Sequence, residues 1–285
     1  TKLKADVSQH WGKSPFGFVR RVLTAAYDDN IFFLASALTF QALLAGLPFV
    51  LLALSALGYF VHAGEEEVVR LFRELIPSAG LAETDPFRQV ERFLASVRES
   101  RGRLSIFGVP LFLWFSTRFF SGARTALNEV FDTHESRPWW KGASVDLGLV
   151  AVALLLVVAN TAVTVSLIDL PLLGRFVSSI STFRLGVLLF FLIYKLSPTR
   201  HVQWDTAVVA AAVAALGFEV TKRMYVVYLI EFTTLDRLIS NNNAIALVLL
   251  VVWMYFTACV FLIGAEVAEI YDLGRRQSEQ RAILT

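Results

Sequence analysis

The sequence is poor in charge and cysteine, and it lacks the residue patterns of soluble enzymes. Charged side chains make up 18% of its 285 residues, whereas soluble domains usually carry about 25%. The single cysteine, Cys259, excludes an intrachain disulfide. Its histidines are scattered, with no metal-ligand spacing to cysteine or glutamate, and no phosphate-binding glycine loop is present. We therefore expect no metal, no cofactor and no enzymatic activity, and the net charge of +2 predicts no nucleic-acid partner.

The main feature of the sequence is its long apolar runs. Hydrophobic residues make up 56% of the chain, and the mean hydropathy is +0.60. A run of about 18 or more apolar residues is a candidate for a membrane-spanning helix. Six segments are predicted to span, at about 31–61, 104–127, 145–168, 176–197, 205–230 and 244–271. The sequence therefore predicts an all-α integral membrane protein with six transmembrane helices and amphipathic helices outside the membrane.

Three regions follow from this pattern. Residues 1–30 are predicted to be a cytoplasmic amphipathic segment, because apolar residues recur there at helical spacing beside arginines. Residues 31–271 form the six-helix membrane domain, and 272–285 a cytoplasmic tail. An external helical insertion is predicted at 62–103, where two amphipathic patterns are separated by prolines and glycine.

Loop charges predict the orientation. Lysine and arginine are concentrated on the side that carries both termini, whereas the opposite short loops hold only Arg175 and Arg237. Cytoplasmic loops are enriched in these residues. Both termini are therefore predicted to be cytoplasmic.

The fifth predicted span contains three ionisable residues within five positions. Lys222 and Arg223 follow Glu219 at i+3 and i+4, so the three side chains share one helix face. Charges within a span cost roughly 2.5–3.5 kcal/mol each. Two interpretations remain open: a self-contained ion pair with one cation reaching the membrane surface, or a cationic station that binds substrate.

Arg118 lies in the middle of the second predicted span, with Asn128 at the edge of its face. It is a candidate for a second cationic station at a different depth. The alternatives are an ion pair with a carboxylate such as Glu129, or a polar stripe that joins helices.

Two further polar residues are candidates for the substrate site. Gln41 either opens the first helix toward a cavity or forms an interhelical hydrogen bond. Glu266, near the end of the last span, is either a proton or cation site or a structural partner, for instance of Arg118. Arg184 is expected to extend toward the membrane surface from the fourth span.

Several blocks resemble one known family. The first span, "LASALTFQALLAGLPFVLLALSALG", is similar to the opening helix of the YihY/BrkB membrane proteins of bacteria, formerly labelled the ribonuclease BN family. The segments "LWFSTRFFSGARTALNEVFDTHESRPWWK" and "YKLSPTRHVQW" resemble its arginine-proline-tryptophan block and its proline-bearing loop. "VVWMYFTACVFLIGAEVAEIY" resembles its terminal helix. The chain departs from the family in "SNNNAIA", where members often have a Tyr-Gly pair.

The resemblance implies six helices and a location in the bacterial inner membrane. The family has carried a ribonuclease label, an association with virulence and a proposed part in exporting lipid-linked envelope material. Our leading hypothesis is a transporter or flippase for a lipid with an anionic head group, with anionic membrane lipids as partners. A non-catalytic scaffold and a membrane-embedded lipid-modifying enzyme are the alternatives, and a homo-oligomer stays open.

Overall fold

Helices account for all the regular structure in the part of the chain that the computed structural model describes, residues 15–63, 86–133, 138–166, 171–235 and 242–284. There are seven of them. They are α1 (Pro15–Asp28), α2 (Ile31–Ala63), α3 (Pro86–Val130), α4 (Trp139–Ser166), α5 (Pro171–Leu196), α6 (Trp204–Leu235) and α7 (Asn242–Leu284). The all-α prediction is confirmed for these residues.

Five of the helices contain a stretch long and apolar enough to cross a membrane. These stretches are Ile31–Ala53, Ser105–Val130, Trp140–Asn160, Trp204–Val227 and Val248–Arg276. Large apolar side chains lie on their outer surfaces: Phe33 is 74% exposed and Leu155 is 67% exposed, as expected for helices that face lipid rather than water. Helix α5 carries the predicted span at 176–197 and is not among the five, so six spans stay a prediction.

Two helices extend beyond the predicted boundaries. α3 is continuous from Pro86 to Val130, so the amphipathic stretch before residue 104 and the second span form one helix. Gly102 lies between them, and a glycine inside a helix costs only about 1 kcal/mol, which does not end it. The first predicted amphipathic helix of the insertion lies outside the described residues. α7 continues to Leu284, so the predicted tail is helical up to that residue.

The chain divides into two compact units. The smaller is Leu43–Ser116. Within it, the rings of Phe49 and Phe112 lie 6.0 Å apart, and Gly108 lies against Leu52. The lack of a side chain at Gly108 thus lets α2 and α3 approach closely in this unit.

The larger unit, Thr1–Ala42 with Thr117–Thr285, contains every candidate site residue. Within it α4, α5, α6 and α7 pack in chain order, each against the next, and α1 packs against α7. Between α6 and α7 the buried side chains are mostly alanines, including Ala207, Ala210 and Ala214. In lipid no hydrophobic effect drives helices together, and small residues allow the close approach on which van der Waals packing depends.

The turn between α1 and α2 depends on Asn30. Its φ angle is 53°, in the left-handed region, which asparagine tolerates better than most residues. Immediately after it, Ile31 is fully buried. α1 is thereby held against the membrane domain, with Val22 and Ala25 packed beside Ile270 of α7.

Candidate functional site

The three charges of α6 form the ion pairs that their spacing predicts. Lys222 Nζ lies 2.6 Å from Glu219 Oε2, and Arg223 Nε lies 3.8 Å from Glu219 Oε1. The lysine side chain is 41% exposed and the arginine 79%, against 28% for the glutamate. One carboxylate therefore serves two cations, so the cluster keeps an excess positive charge at its surface.

Arg118 is exposed on α3, within the stretch Ser105–Val130. The next arginine along the helix, Arg124, forms an ion pair with a residue of the neighbouring helix. Arg124 Nη1 lies 2.8 Å from Asp146 Oδ1 of α4, and its Nη2 donates a hydrogen bond to Ser121 Oγ at 3.1 Å. Asp146 is only 2% exposed, so this pair is a buried link between α3 and α4.

A glycine makes room for that link. A Cβ atom on Gly142 would lie 2.8 Å from Arg124 Nη1. Sequence reasoning missed both partners, Arg124 and Asp146. Their only common signal is a lone charge of opposite sign near the same end of two consecutive spans.

Asn128, a predicted substrate contact, is hydrogen-bonded to the loop that follows α5. Its Nδ2 donates to Thr199 Oγ1 at 2.9 Å, and the Thr199 amide donates to Asn128 Oδ1 at 2.9 Å. Both hydrogen-bonding groups of the amide therefore hold the loop between α5 and α6, residues 197–203, against the end of α3.

Arg200 in the same loop forms a larger network that sequence reasoning did not find. Its guanidinium pairs with Glu269, and its Nη2 lies 3.3 Å from Asp272 Oδ2. Nη1 also donates to the carbonyl oxygen of Phe131 at 3.2 Å. Asp272 in turn pairs with Arg276 at 2.9 Å. Both carboxylate residues are 3% exposed, so we define Arg200, Glu269 and Asp272 as the buried charge network, with the exposed Arg276 at its edge.

The remaining two candidates, Glu266 and Gln41, differ in burial, and Gln41 is partly exposed. Glu266 is fully buried on α7, one turn before Glu269. Gln41 of α2 lies against Gly122 of α3, where an added Cβ would overlap the Gln41 amide. The Gln41 amide thus lies where α2 contacts α3, and a role in binding substrate stays a prediction for both residues.

The larger unit contains a cavity of about 920 Å³ that is lined by α4, α5 and α6. Its lining is mostly apolar. The polar exceptions are Asn160 of α4 and Ser181 and Arg184 of α5. Ser181 Oγ donates to Asn160 Oδ1 at 2.7 Å. We call this cavity the α4–α6 groove.

The structure therefore brings some of the predicted residues together and separates others. Glu219, Lys222 and Arg223 form one cluster, whereas Gln41 and Asn128 each have their own contacts. Across the described ranges, no group of three or more histidine, cysteine, aspartate or glutamate residues could hold a metal ion.

Comparison with known proteins identifies relatives of the whole membrane region. A UPF0761 membrane protein of Rhodospirillum centenum is 28% identical over 259 residues, which cover 88% of this chain and 56% of the relative. One from Legionella pneumophila is 26% identical over 264 residues, covering 90% and 62%. One from Pseudoalteromonas atlantica is 22% identical over 284 residues, covering 94% and 90%.

The chain spans less than two thirds of the length of the first two of these relatives. No solved structure matches it. The profile of the family described as "Virulence factor BrkB" matches residues 22–283, nearly the whole chain, and this confirms the family resemblance found in the sequence. The chain therefore belongs to the BrkB family of membrane proteins.

Proposed function

We propose that this protein is a transporter or flippase that moves a lipid or amphipathic substrate with an anionic head group across the bacterial inner membrane. The observation that carries the proposal is the excess positive charge of the α6 cluster. Lys222 and Arg223 share the single carboxylate of Glu219 inside the membrane-spanning stretch Trp204–Val227. Arg118 is a second exposed cation, in the stretch Ser105–Val130.

The cost of these charges supports a functional role. A charged side chain at the centre of a spanning helix costs roughly 2.5–3.5 kcal/mol on insertion scales, and a fully neutralised pair would serve structure alone. A cation that shares its carboxylate with a second cation and is 79% exposed, such as Arg223, attracts an anionic head group instead. Arginine offers two parallel hydrogen bonds to a phosphate, and lysine adds a point charge.

The topology belongs to the same proposal. α5 packs against both α4 and α6, and each of those helices contains a stretch that can cross a membrane. We therefore include α5 as the sixth span. With both termini cytoplasmic, as the loop charges predict, Arg118 and the α6 cluster lie at different depths.

Reconstituted liposomes test the proposal. The protein should move a fluorescent phosphatidylglycerol between leaflets, measured by quenching of the outer leaflet with dithionite, and should move a zwitterionic phosphatidylcholine more slowly. Arg118→Ala and Lys222→Met should each slow the anionic lipid, because each removes one cationic contact. Arg103→Ala is the matched control, since Arg103 is exposed on α3 before the spanning stretch begins.

A triple variant separates structure from function. If the α6 cluster is only a neutral pairing device, replacing Glu219, Lys222 and Arg223 together by apolar residues should be tolerated, since paired charges can often be removed together. Normal flipping by that variant refutes the site. If flipping by the parent protein equals that of protein-free liposomes for every lipid, the transport proposal fails and the scaffold takes its place.

A further inference from the structure

The α4–α6 groove has the shape and chemistry of a ligand site. Its volume is about 920 Å³, near the upper end of the range of roughly 300–1,000 Å³ found for small-molecule sites. The described residues that line it belong to α4, α5 and α6. Since α5 packs between the two neighbouring helices, the groove opens at the surface of the larger unit.

Its polarity changes along its length. At one end Ser181 donates to Asn160, and Arg184 lies one turn further along α5. Toward the other end the α5 lining is Val187, Leu188 and Phe191, all apolar. From α6, Val208 and Ala211 complete this apolar end. A groove with one polar and one apolar end matches an amphiphile, whose head and tail differ in the same way.

The length of the groove fits one membrane leaflet. Its lining on α5 runs from Ile180 to Phe191, which at 1.5 Å per residue is about 17 Å. The hydrocarbon core of a bilayer is about 30 Å thick, so the groove covers roughly the depth of one leaflet. That length accommodates the acyl chain of a single lipid whose head group lies at the polar end.

Arg184 supplies the charge that selects the head group. It is exposed, and among the described residues that line the groove it is the only charged one. Within the part of the chain that the structure describes, it is joined to no carboxylate. Its planar fork of donors suits a phosphate oxygen pair. The sequence alone led us to expect only that Arg184 extends toward the membrane surface.

We propose that the α4–α6 groove binds one membrane phospholipid with an anionic head group. Arg184 contacts the phosphate, the Asn160–Ser181 pair lies at the head-group end, and an acyl chain runs along α5 toward Phe191. The inference extends the proposed function, because it supplies a lipid site that the transport hypothesis needs, but binding can be measured without transport.

Native mass spectrometry of the purified protein with phosphatidylglycerol or phosphatidylcholine tests this inference. Arg184→Gln should weaken phosphatidylglycerol binding by about tenfold or more, since a charge-assisted hydrogen bond is lost, and should abolish the preference over phosphatidylcholine. Arg184→Lys should keep part of the preference because it keeps the charge. Arg103→Gln, an exposed arginine outside the groove, should bind as the parent does.

A steric variant tests occupancy of the groove without changing charge. Ala159 lines the groove on α4, whereas Ala151 is exposed on the same helix and does not. Ala159→Trp should reduce binding of both lipids, and Ala151→Trp should leave both unchanged. Equal binding by the parent, Arg184→Gln and Ala159→Trp overturns the proposal, and so does a loss with Arg103→Gln as large as that with Arg184→Gln.

The outcomes for groove and transport remain separable. If phosphatidylglycerol binding depends on Arg184 but the protein flips no lipid, the proposed function is refuted and the lipid site in the groove is supported. If Arg184→Gln and Ala159→Trp flip and bind lipid as the parent does, the lipid site in the groove is refuted and the transport proposal is supported. Unchanged thermal unfolding of each variant shows that the loss of binding is not a loss of fold.

Discussion

Gly264 of α7 lies in close contact with both α5 and α6. A Cβ atom there would lie 2.8 Å from the hydroxyl of Tyr194, 3.0 Å from the Cβ of Ala214 and 3.1 Å from the carbonyl oxygen of Ala210. Two of these atoms belong to the backbone or to a Cβ and cannot rotate away. We therefore expect Gly264→Ala to destabilise the larger unit.

The third contact is no easier to move. Tyr194 is fully buried, and its hydroxyl donates to the carbonyl oxygen of Phe261 at 2.6 Å. Its ring is stacked on that of Phe261 with centroids 5.0 Å apart. Relief of the clash would require either the loss of this hydrogen bond or a separation of the two helices.

The expected magnitude follows from opposing terms. Overpacking a dense core costs about 1–3 kcal/mol, and weakening the Tyr194 hydrogen bond costs about 0.5–1.5 kcal/mol more. Alanine in place of glycine inside a helix returns about 0.5–1 kcal/mol. The net expectation for Gly264→Ala is a loss of roughly 0.5–4 kcal/mol in the free energy of unfolding.

The chain provides its own probe for this measurement. Cys259, the single cysteine, is buried on α7, so a thiol-reactive fluorophore reports its exposure as the protein unfolds. Gly148→Ala on α4 is the matched control, because a Cβ there would meet nothing within 4 Å and should raise the melting temperature slightly. Gly264→Ala melting at or above the parent refutes the packing argument, and so does an equal loss in the control.

Three further predictions use the same dye assay. Arg124→Met and Asp146→Leu should each lower the free energy of unfolding by about 3–5 kcal/mol, because each leaves a buried charge without its partner, whereas the double variant should be close to the parent. A double variant whose loss equals the sum of the two single losses would contradict this. Gly122→Ala should change the free energy of unfolding by less than about 1 kcal/mol, because the Gln41 amide it meets is the end of a flexible side chain and alanine is favoured over glycine inside a helix. A larger loss that Gln41→Ala restores would show that Gln41 cannot rotate away. Asn128→Leu should cost about 1–3 kcal/mol because it removes two hydrogen bonds to the loop 197–203; an unchanged melting temperature would argue against that anchor.

Local patterns predicted well where the partners are close in sequence. The pairing of Glu219 with Lys222 and Arg223 follows from i+3 and i+4 spacing on one helix, and the structure contains both ion pairs. Apolar runs likewise predict helices, because each run carries its own length and hydropathy. No knowledge of the tertiary fold is needed for either inference.

Contacts between distant segments could not be predicted in this way. Arg200 lies 69 residues before Glu269, and Asn128 lies 71 residues before Thr199. Nothing in the periodicity of either segment indicates which helix ends meet. The groove residue Arg184 was assigned to the membrane surface for the same reason, since only the packing of α4 and α6 beside α5 forms a cavity there.

The buried charge network constrains how a transport movement could occur. Arg200 joins the loop 197–203 to Glu269 and Asp272 of α7, and Asn128 joins that loop to α3. Breaking a buried ion pair costs about 3–5 kcal/mol, and every 1.4 kcal/mol is a factor of about ten in population. A movement that opened this end of the helices would therefore be populated at about one part in a hundred or less.

The α4–α6 groove avoids that cost. Arg184 lies 16 positions before Arg200 (200 − 184), or roughly 18 Å along the helical part of α5 at 1.5 Å per residue. A lipid that enters beside Arg184 can exchange its head group between water and the groove while the loop 197–203 stays bound to α3 and α7. Within our proposal, the movement that passes lipid therefore belongs to the Arg184 end of α5, and the buried charge network is the fixed end against which it occurs.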